Sequence, residues 1–425
     1  MRVRDFPSAR LPWRWILFGA AFMLRLGYVL QGSEVPSQDT PDYDEIALNL
    51  LAGEGFVSRA TFHGFEMRSW RAPFYPFFLA LVYGAAGYDH LWVKIAQALV
   101  GAATVVLIFD LARRLHPPAA LSAGLLTAAY GPLVASSNEV MTEIWFTFWL
   151  VLAARLLTVP ATAPWRYWLG GGLVVGLAVL TRPVALLFLP ALALTRAWRR
   201  QDRWGRRTLW LGLGICLAVA PWTLRNYGVH GAFVAVSTHG GFIVARSNAD
   251  HPDWRQPRGW GIEPSFLQRY PTEVERDRHW WRQGLSWIAD NPASYARLVG
   301  ERFLRFWYFM RPQYNFWFMV VLPFFLGGLY CFWKRDGFLL LSAFMGLSLA
   351  VFCLLLYGST RFRLPLEPFF CLFAATYLSQ RRSQWSARQM WIVLGTVLGL
   401  NALLYISGDI WRHVLIKFLS LWHLK

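Results

Sequence analysis

The amino-acid sequence predicts an all-α polytopic membrane protein with about eleven transmembrane helices. Of its 425 residues, 56% are hydrophobic and only 16% are charged. The apolar residues form blocks long enough to cross a bilayer core, which needs about 20 helical residues. The alternation of apolar and polar residues typical of membrane β-barrel strands is absent. These observations favour a helical membrane bundle over a soluble domain or a barrel.

The net charge of +18 is compatible with a nucleic-acid partner, but the placement of the charges favours a membrane. Most lysines and arginines stand in short loops between apolar blocks, where they determine topology and contact lipid headgroups. The four cysteines lie inside apolar segments and form no C-x-x-C pair. We therefore expect no nucleic-acid partner, disulfide framework or zinc site.

Basic loops orient the first spans. The leader MRVRDFPSARLPWR is expected in the cytoplasm, so the first span, residues 13–30, leads outward. The next basic loop, ARRLHPP, returns to the cytoplasm if one span at 92–111 precedes it. The short segment 73–88, which begins with proline, then stays outside as a helix along the membrane surface.

The remaining apolar blocks continue this alternation. Further spans are expected near 119–136, 144–159, 209–222, 316–332, 338–357, 364–378 and 391–406. The block 169–194 fits two short spans hinged at 181–183, whereas one kinked span would break the parity. The predicted divisions are the leader with the first helix 1–31, first outer loop 32–91, membrane core 92–222, long outer segment 223–314, C-terminal helices 315–407 and tail 408–425.

Polar residues at the predicted span ends gather on the outer side. Six stretches fall there, namely SQDTPDYDE, RSWRAP, SNEVMTE, LTRP, WTLRNY and STRFRLP. Snorkelling side chains alone would populate both faces. The sequence therefore predicts one site at the outer membrane–water boundary.

The acidic cluster in the first stretch begins a predicted amphipathic helix, in which Thr40 is the expected N-cap and Gly53 follows the last turn. Three acids inside the helix are then expected to act as helix-start charges, namely Asp42, Asp44 and Glu45. Asp39 stands one residue before this cap, on non-helical backbone, where backbone amides in fixed positions can keep its carboxylate ionised. The alternative is that Asp39 is itself the N-cap.

Glu143 starts the fourth span and is followed by the apolar run IWFTFW. A lone carboxylate costs roughly 2.5–3.5 kcal/mol at mid-membrane, so Glu143 needs a cation, a metal or a substrate. A structural salt bridge with Arg182 or Arg225 is the alternative to a functional role.

Two arginine pairs are candidates for binding phosphate. Arg361 and Arg363 would point the same way if STRFRLP were extended, and two guanidiniums suit a phosphate through charge-assisted hydrogen bonds. Arg68 and Arg71 form a second candidate pair. Snorkelling to lipid headgroups is the alternative for either pair.

An ordered set of motifs resembles a known family. An aspartate four residues before a tyrosine is followed by IALNLLAGEGF, RAPFYPFFLALVYG, MTE, LTRPVALLFLP, PWTLRNYGVHGAFVAVSTHGG and RFRLPLEPF. This set resembles the bacterial family 39-type glycosyltransferases of the C superfold, related to the protein O-mannosyltransferases and the lipid A aminoarabinose transferase. The resemblance covers most of the chain, from about residue 14 to residue 378.

The resemblance implies transfer, with inversion, of a sugar from a polyprenyl monophosphate carrier to a lipid, glycan or protein at the outer face of the bacterial cytoplasmic membrane. It implies that Asp39 is the general base and Glu143 a second catalytic acid. Arg71, Arg361 and Arg363 match positions near the carrier phosphate. Further substrate-binding candidates are Tyr43, Arg68, Arg182, Arg225, Asn226 and His239. No metal is expected, although Asp39, Glu143 and His239 are the candidates to share a divalent ion.

Two other functions remain as alternatives. A polymerase or ligase of lipid-linked glycans would also use outer arginines but would not require the DTPDY helix start. A transporter or flippase of lipid-linked sugars predicts polar residues along a path across the bilayer and often paired repeats. Neither feature is visible in this sequence.

Overall fold

The computed structural model describes residues 13–32, 39–59, 66–159, 163–199, 204–249, 264–307, 312–335, 337–382 and 384–406. In these ranges the chain is all-α as predicted, apart from an isolated bridge between Ser58 and Met67. The first helices are α1 Trp13–Leu30, α2 Thr40–Leu51, α3 Phe74–Ala86, α4 His90–Leu115, α5 Ala120–Ala129, α6 Gly131–Ala135, α7 Glu143–Leu157, α8 Trp165–Thr181, α9 Phe188–Trp198 and α10 Trp204–His230. They are followed by α11 Gly240–Ser247, α12 Pro264–Arg269, α13 Glu273–Asp290, α14 Pro292–Phe306, α15 Pro312–Phe332, α16 Phe338–Leu354, α17 Thr360–Arg363, α18 Glu367–Arg381 and α19 Ala387–Ile406.

Small residues bring the helices of the apolar bundle into close contact. α8 packs along α10, α1 along α4, and α15 along α18. A methyl group added to Gly172 of α8 would overlap the carbonyl oxygen of Leu211, and one added to Gly214 of α10 would overlap that of Leu169. Close backbone approach of this kind is typical of membrane helices, whose association depends on packing.

Four helices among the described residues are long and apolar enough to cross a bilayer, namely Trp13–Leu30, His90–Leu115, Gly205–His230 and Asn315–Phe332. The segments Pro117–Ala129 and Gly131–Asn138, bent by 57°, form a fifth if they act as one span. The predicted spans 144–159, 338–357 and 364–378 form helices of 15 to 17 residues, so the count of eleven stays a prediction. The chain does break near the predicted hinge, because α8 ends at Thr181 and a 3₁₀ turn, Pro183–Leu187, follows.

The segments between the long helices pack against one another and shape a site. α2 packs on α3, and α11 packs on α13. An aromatic cluster of Trp70, Phe242 and Trp280 joins the loop before α3 to these last two helices. The loop before α3, the starts of α2, α7 and α11, and the ends of α8 and α16 meet around one cavity.

Candidate active site

The cavity has a volume of about 290 Å³ and two kinds of wall. Its charged and imidazole side chains are Asp39, Arg71, Arg182, His239 and Arg361. Its apolar wall includes Val184, Ile243, Phe352, Leu356 and Phe362. Among the six polar stretches quoted above, WTLRNY contributes no lining residue. The end of α16 contributes apolar residues that carry no motif in the sequence.

Asp39 occupies the N-cap position of α2, which is the alternative that the sequence left open, and the prediction of a Thr40 cap is wrong. The backbone of Asp39 has helical angles, φ −89° and ψ −18°, and its side chain makes no capping bond. N-cap residues that bond the helix usually have extended backbone angles. The Thr40 hydroxyl donates to the Val140 carbonyl at 3.2 Å, and the Asp39 carboxylate is left to other partners.

Two guanidiniums bracket the Asp39 carboxylate. Arg71 Nη2 donates to Oδ1 at 3.0 Å, and Arg361 Nη1 donates to Oδ2 at 2.9 Å. Burial alone would raise the pKa of Asp39, but Arg71 and Arg361 hold that pKa well below its usual range. The carboxylate is therefore ionised at neutral pH.

Asp42 lies in the first turn of α2, as predicted, and it also has a specific partner. It is 3% exposed and accepts from Nε and Nη2 of Arg71, at 2.9 and 2.6 Å. The Ser58 hydroxyl also donates to it at 3.0 Å. Asp42 thus holds the guanidinium of Arg71 in place while the same guanidinium also donates to Asp39. Sequence reasoning missed this pair because Arg71 lies in another motif, beyond a loop.

Asp44 and Glu45 are likewise held by tertiary contacts rather than by the helix dipole alone. Asp44 accepts from the Tyr83 hydroxyl at 2.6 Å and lies 2.9 Å from His90 Nε2. Glu45 accepts from the Arg59 amide at 2.8 Å and shares the single proton of the Ser58 hydroxyl with Asp42, each acceptor oxygen lying 3.0 Å away. Both acids fasten α2 to its surroundings and neither lines the cavity.

Glu143 is the first residue of α7 and is 2% exposed. Arg182 Nη2 donates to its Oε1 at 2.6 Å, and Arg361 Nε donates to the same oxygen. The salt bridge with Arg182 that the sequence left open is therefore present. Arg361 bridges Glu143 and Asp39, so Glu143 acts on the cavity through the arginines it holds.

Arg361 and Arg363 do not act as a parallel pair, because STRFRLP is helical at this point and not extended. Arg361 faces the cavity, but Arg363 is 1% exposed and lies outside the cavity lining. Its guanidinium donates to Glu367 Oε1 at 2.7 Å and to Asn315 Oδ1 at 2.9 Å. The assignment of Arg363 to the donor phosphate is corrected to a structural role.

Three predicted substrate-binding residues lie outside the cavity lining. Arg68 is half-exposed and pairs with Glu66 at 2.9 Å. Arg225 donates to the Arg68 carbonyl at 2.6 Å, and the buried Asn226 amide donates to the Val234 carbonyl at 3.1 Å. These side chains shape the loop before α3 and the turn after α10. Contact with substrate is therefore no longer assigned to them.

Tyr43 and His239 do line the cavity. The guanidinium of Arg71 lies 5.2 Å from the centre of the Tyr43 ring. The His239 ring lies 4.3 Å from the Trp70 ring. Burial, with Arg71 close by, lowers the pKa of His239 to about 3, so the imidazole is neutral at physiological pH. His239 thus offers a neutral hydrogen-bonding group near Arg71 and Arg361.

The three candidate metal ligands, Asp39, Glu143 and His239, do not fit a divalent metal. Among the described residues, no three His, Cys, Asp or Glu side chains form a group that holds a metal ion. The guanidinium of Arg361 lies between Asp39 and Glu143, where a shared ion would have to sit. We therefore derive no chemical step through a metal.

Asp277 lies beside the start of α11, and its burial leads us to expect that the free energy of unfolding depends on pH. Burial raises its pKa from 3.8 to about 6, although the Gly241 amide donates to it at 2.7 Å. Between these values the folded protein binds more protons than the unfolded chain, so this carboxyl destabilises the fold as pH rises. We expect Asp277→Asn to raise the melting temperature at pH 7.5 and to change it less at pH 4.

Asp290→Asn on the same helix is the control, because Asp290 is exposed. It should shift the melting temperature little at either pH. A lower melting temperature for Asp277→Asn at pH 7.5 would contradict the argument.

Two family models match parts of this chain. Residues 70–224 match the dolichyl-phosphate-mannose-protein mannosyltransferases, and residues 305–411 match the Alg9-like mannosyltransferase family. A comparison with curated proteins finds no match. The two matches cover several of the motifs on which the sequence resemblance rests.

Solved structures show the fold. ArnT from Cupriavidus metallidurans in the apo state is similar with a TM-score of 0.59 and 16% identity, over 91% of this chain and 62% of that chain. Its structure bound to undecaprenyl phosphate gives a TM-score of 0.54 and 14% identity, over 95% and 72%. The Archaeoglobus fulgidus oligosaccharyltransferase tethered to an acceptor peptide gives a TM-score of 0.55 and 12% identity, over 94% of this chain and 55% of that chain.

This chain spans 62% of the length of the first of these structures. The likenesses, together with the two family models, show the glycosyltransferase C superfold. The predicted superfold is therefore confirmed.

Proposed function

We propose that this chain transfers a sugar from a polyprenyl monophosphate carrier to a hydroxyl group of a lipid, glycan or protein. The observation that carries the proposal is the bridge of Arg361 between Asp39 and Glu143 at the wall of a cavity with one charged and one apolar side. The family models and the fold support sugar transfer from a lipid carrier. The distribution of basic loops in the sequence supports a site at the outer face of the cytoplasmic membrane.

Asp39 is the general base of the proposed reaction. Its carboxylate takes the proton of the acceptor hydroxyl while the acceptor oxygen bonds to the anomeric carbon. The bond between that carbon and the phosphate oxygen breaks, and its electron pair stays on the phosphate. Attack opposite the leaving phosphate inverts the anomeric configuration. A positioned base and positioned cations are what this step requires.

Because Asp39 is paired with two arginines, the donor phosphate must bind before Asp39 can act as an effective base. A carboxylate held by two arginines is a weak base, because its pKa is well below its usual range. The donor phosphate competes with Asp39 for Arg71 and Arg361, which strengthens Asp39 as a base. When Asp39 takes the proton it loses its charge, and the guanidiniums stabilise the charge that develops on the leaving phosphate.

Glu143, Asp42 and Arg182 hold this arrangement in place. Glu143 anchors Arg361, and Asp42 anchors Arg71, so neither arginine depends on Asp39 alone. Arg182 offsets the charge of Glu143 and lines the cavity. Glu143 therefore serves as a positioning residue rather than as a second group that reacts.

The apolar wall suits the carrier tail. ArnT has been solved with undecaprenyl phosphate, a carrier of the class proposed for this chain. Phe352, Leu356 and Phe362 lie on the same cavity as the arginines, so a phosphate and the isoprene units next to it find complementary surfaces. A pore for transport is not favoured, because the charged residues meet at helix ends instead of following a path across the bundle.

Mass spectrometry of cell-envelope glycans tests the proposal. Cells that make the wild-type chain should contain a glycan modified by one sugar that cells without the chain lack. Identical glycan profiles would contradict sugar transfer. The same comparison identifies the sugar and the acceptor.

A further inference from the structure

A buried carboxylate outside the cavity gathers the two loops that carry Arg71 and His239. Glu273 is the first residue of α13 and is 5% exposed. Its Oε2 accepts from the Thr238 hydroxyl at 2.7 Å and from the Ser69 amide at 3.2 Å. Its Oε1 accepts from the Arg68 amide. The carboxylate as a whole thus binds two distant segments of the chain, one through Arg68 and Ser69 and the other through Thr238.

The same two segments are also bonded to each other. The Thr238 amide donates to the Ser69 carbonyl at 2.8 Å. Trp70 and His239 lie one residue further along each segment, and the centres of their rings are 4.3 Å apart. A shift of one segment therefore moves the other.

Helix α13 makes a second contact with the start of α11, one turn after Glu273. The Gly241 amide donates to Asp277 Oδ1 at 2.7 Å. A methyl group on Gly241 would overlap the backbone oxygen of Asp277. The helix that carries Glu273 is thus set rigidly against the helix that begins beside His239.

We propose that Glu273 is a positioning residue, acting through Ser69 on Arg71 and through Thr238 on His239. The inference rests on the sugar transfer proposed above. Among the described residues, Glu273 forms no close ion pair, although Arg225 and Arg276 interact with its charge at longer range. Its two oxygens accept directly from two amides and a hydroxyl, whose positions they define. Arg71 follows Ser69 by two residues, and an error of 1 Å in a positioned group costs on the order of 10²-fold in rate.

Glu273→Gln in the full-length protein is the test, because glutamine keeps the shape of the side chain but offers only one acceptor oxygen. Amide hydrogen exchange should become faster in peptides that contain Ser69 and Thr238. The transfer rate at saturating donor should fall roughly 10- to 100-fold, because a displacement of Arg71 by up to about 1 Å costs up to about that much. The control is Glu275→Gln, since Glu275 caps the same helix at the surface and should change neither measurement.

Non-additivity separates positioning from a general loss of structure. Combined with Arg71→Met, Glu273→Gln should add less than about threefold, because both changes act on one unit. Full additivity would overturn the proposal, and so would unchanged exchange at Ser69 and Thr238. If Glu273→Gln does not fold, Thr238→Val is the second variant, because it removes one donor to Glu273. It should also speed amide exchange and slow transfer, but by smaller factors. A wild-type chain that transfers no sugar would refute the proposed function as well, whereas unchanged exchange in Glu273→Gln with active wild type refutes only the role of Glu273.

Discussion

Replacing Asp39 by asparagine should lower the rate of sugar transfer by roughly 10²- to 10⁴-fold, the usual contribution of a general base. Asparagine cannot take the acceptor proton. The fold should persist, because Arg71 keeps its bonds to Asp42 and Arg361 keeps its bond to Glu143. The rate is measured with purified protein and a saturating lipid-linked donor.

Binding of undecaprenyl phosphate distinguishes a lost base from a damaged site. Affinity should stay equal or rise in Asp39→Asn, because two guanidiniums lose the carboxylate that competes with the phosphate. The matched control is Asp89→Asn, which changes an aspartate at the N-cap of α4, outside the cavity, where asparagine caps equally well. Transfer by Asp39→Asn at the rate of Asp89→Asn would show that Asp39 is not the base.

Replacing Arg361 by methionine should lower the transfer rate by roughly 10²- to 10³-fold, as expected when one group that stabilises developing charge is removed. Glu143 keeps Arg182, and Asp39 keeps Arg71, so both buried acids retain a partner. The loss should appear in the rate at saturating donor as well as in donor affinity. Steady-state kinetics over a range of donor concentrations provides both values.

Two variants frame this result. Arg59→Met removes a partly exposed arginine of the first loop, outside the cavity lining, and should leave transfer unchanged. Arg363→Met leaves Glu367 buried without its cation, which should destabilise the fold by about 3–5 kcal/mol. If Arg361→Met weakened donor binding alone, at an unchanged maximal rate, Arg361 would be a docking group and not a catalytic one.

The helices and the superfold were predictable because apolar blocks and ordered motifs are local signals. The first helix and the break after Thr181 follow directly from such patterns. The prediction that polar stretches converge on one site describes where the structure places Asp39, Arg71, Arg182 and Arg361. Their roles in catalysis stay proposals.

The partners of single side chains were not predictable, because they depend on tertiary contacts. The sequence places Asp42 at the start of a helix, but only the tertiary structure shows that Arg71 donates to it. Arg361 and Arg363 were assigned to one phosphate on the assumption of an extended segment, and a single helical turn directs them to different places. Glu273 carries no motif, and its importance follows only from the two loops that meet on it.

The most direct test follows a labelled sugar on undecaprenyl phosphate in liposomes that contain the purified full-length chain and an envelope extract as the source of acceptor. We predict that the wild-type chain moves the label to an acceptor and releases undecaprenyl phosphate, and that Asp39→Asn does neither. Label that stays on the carrier with the wild-type chain, or that moves only from an undecaprenyl pyrophosphate donor, would contradict this prediction.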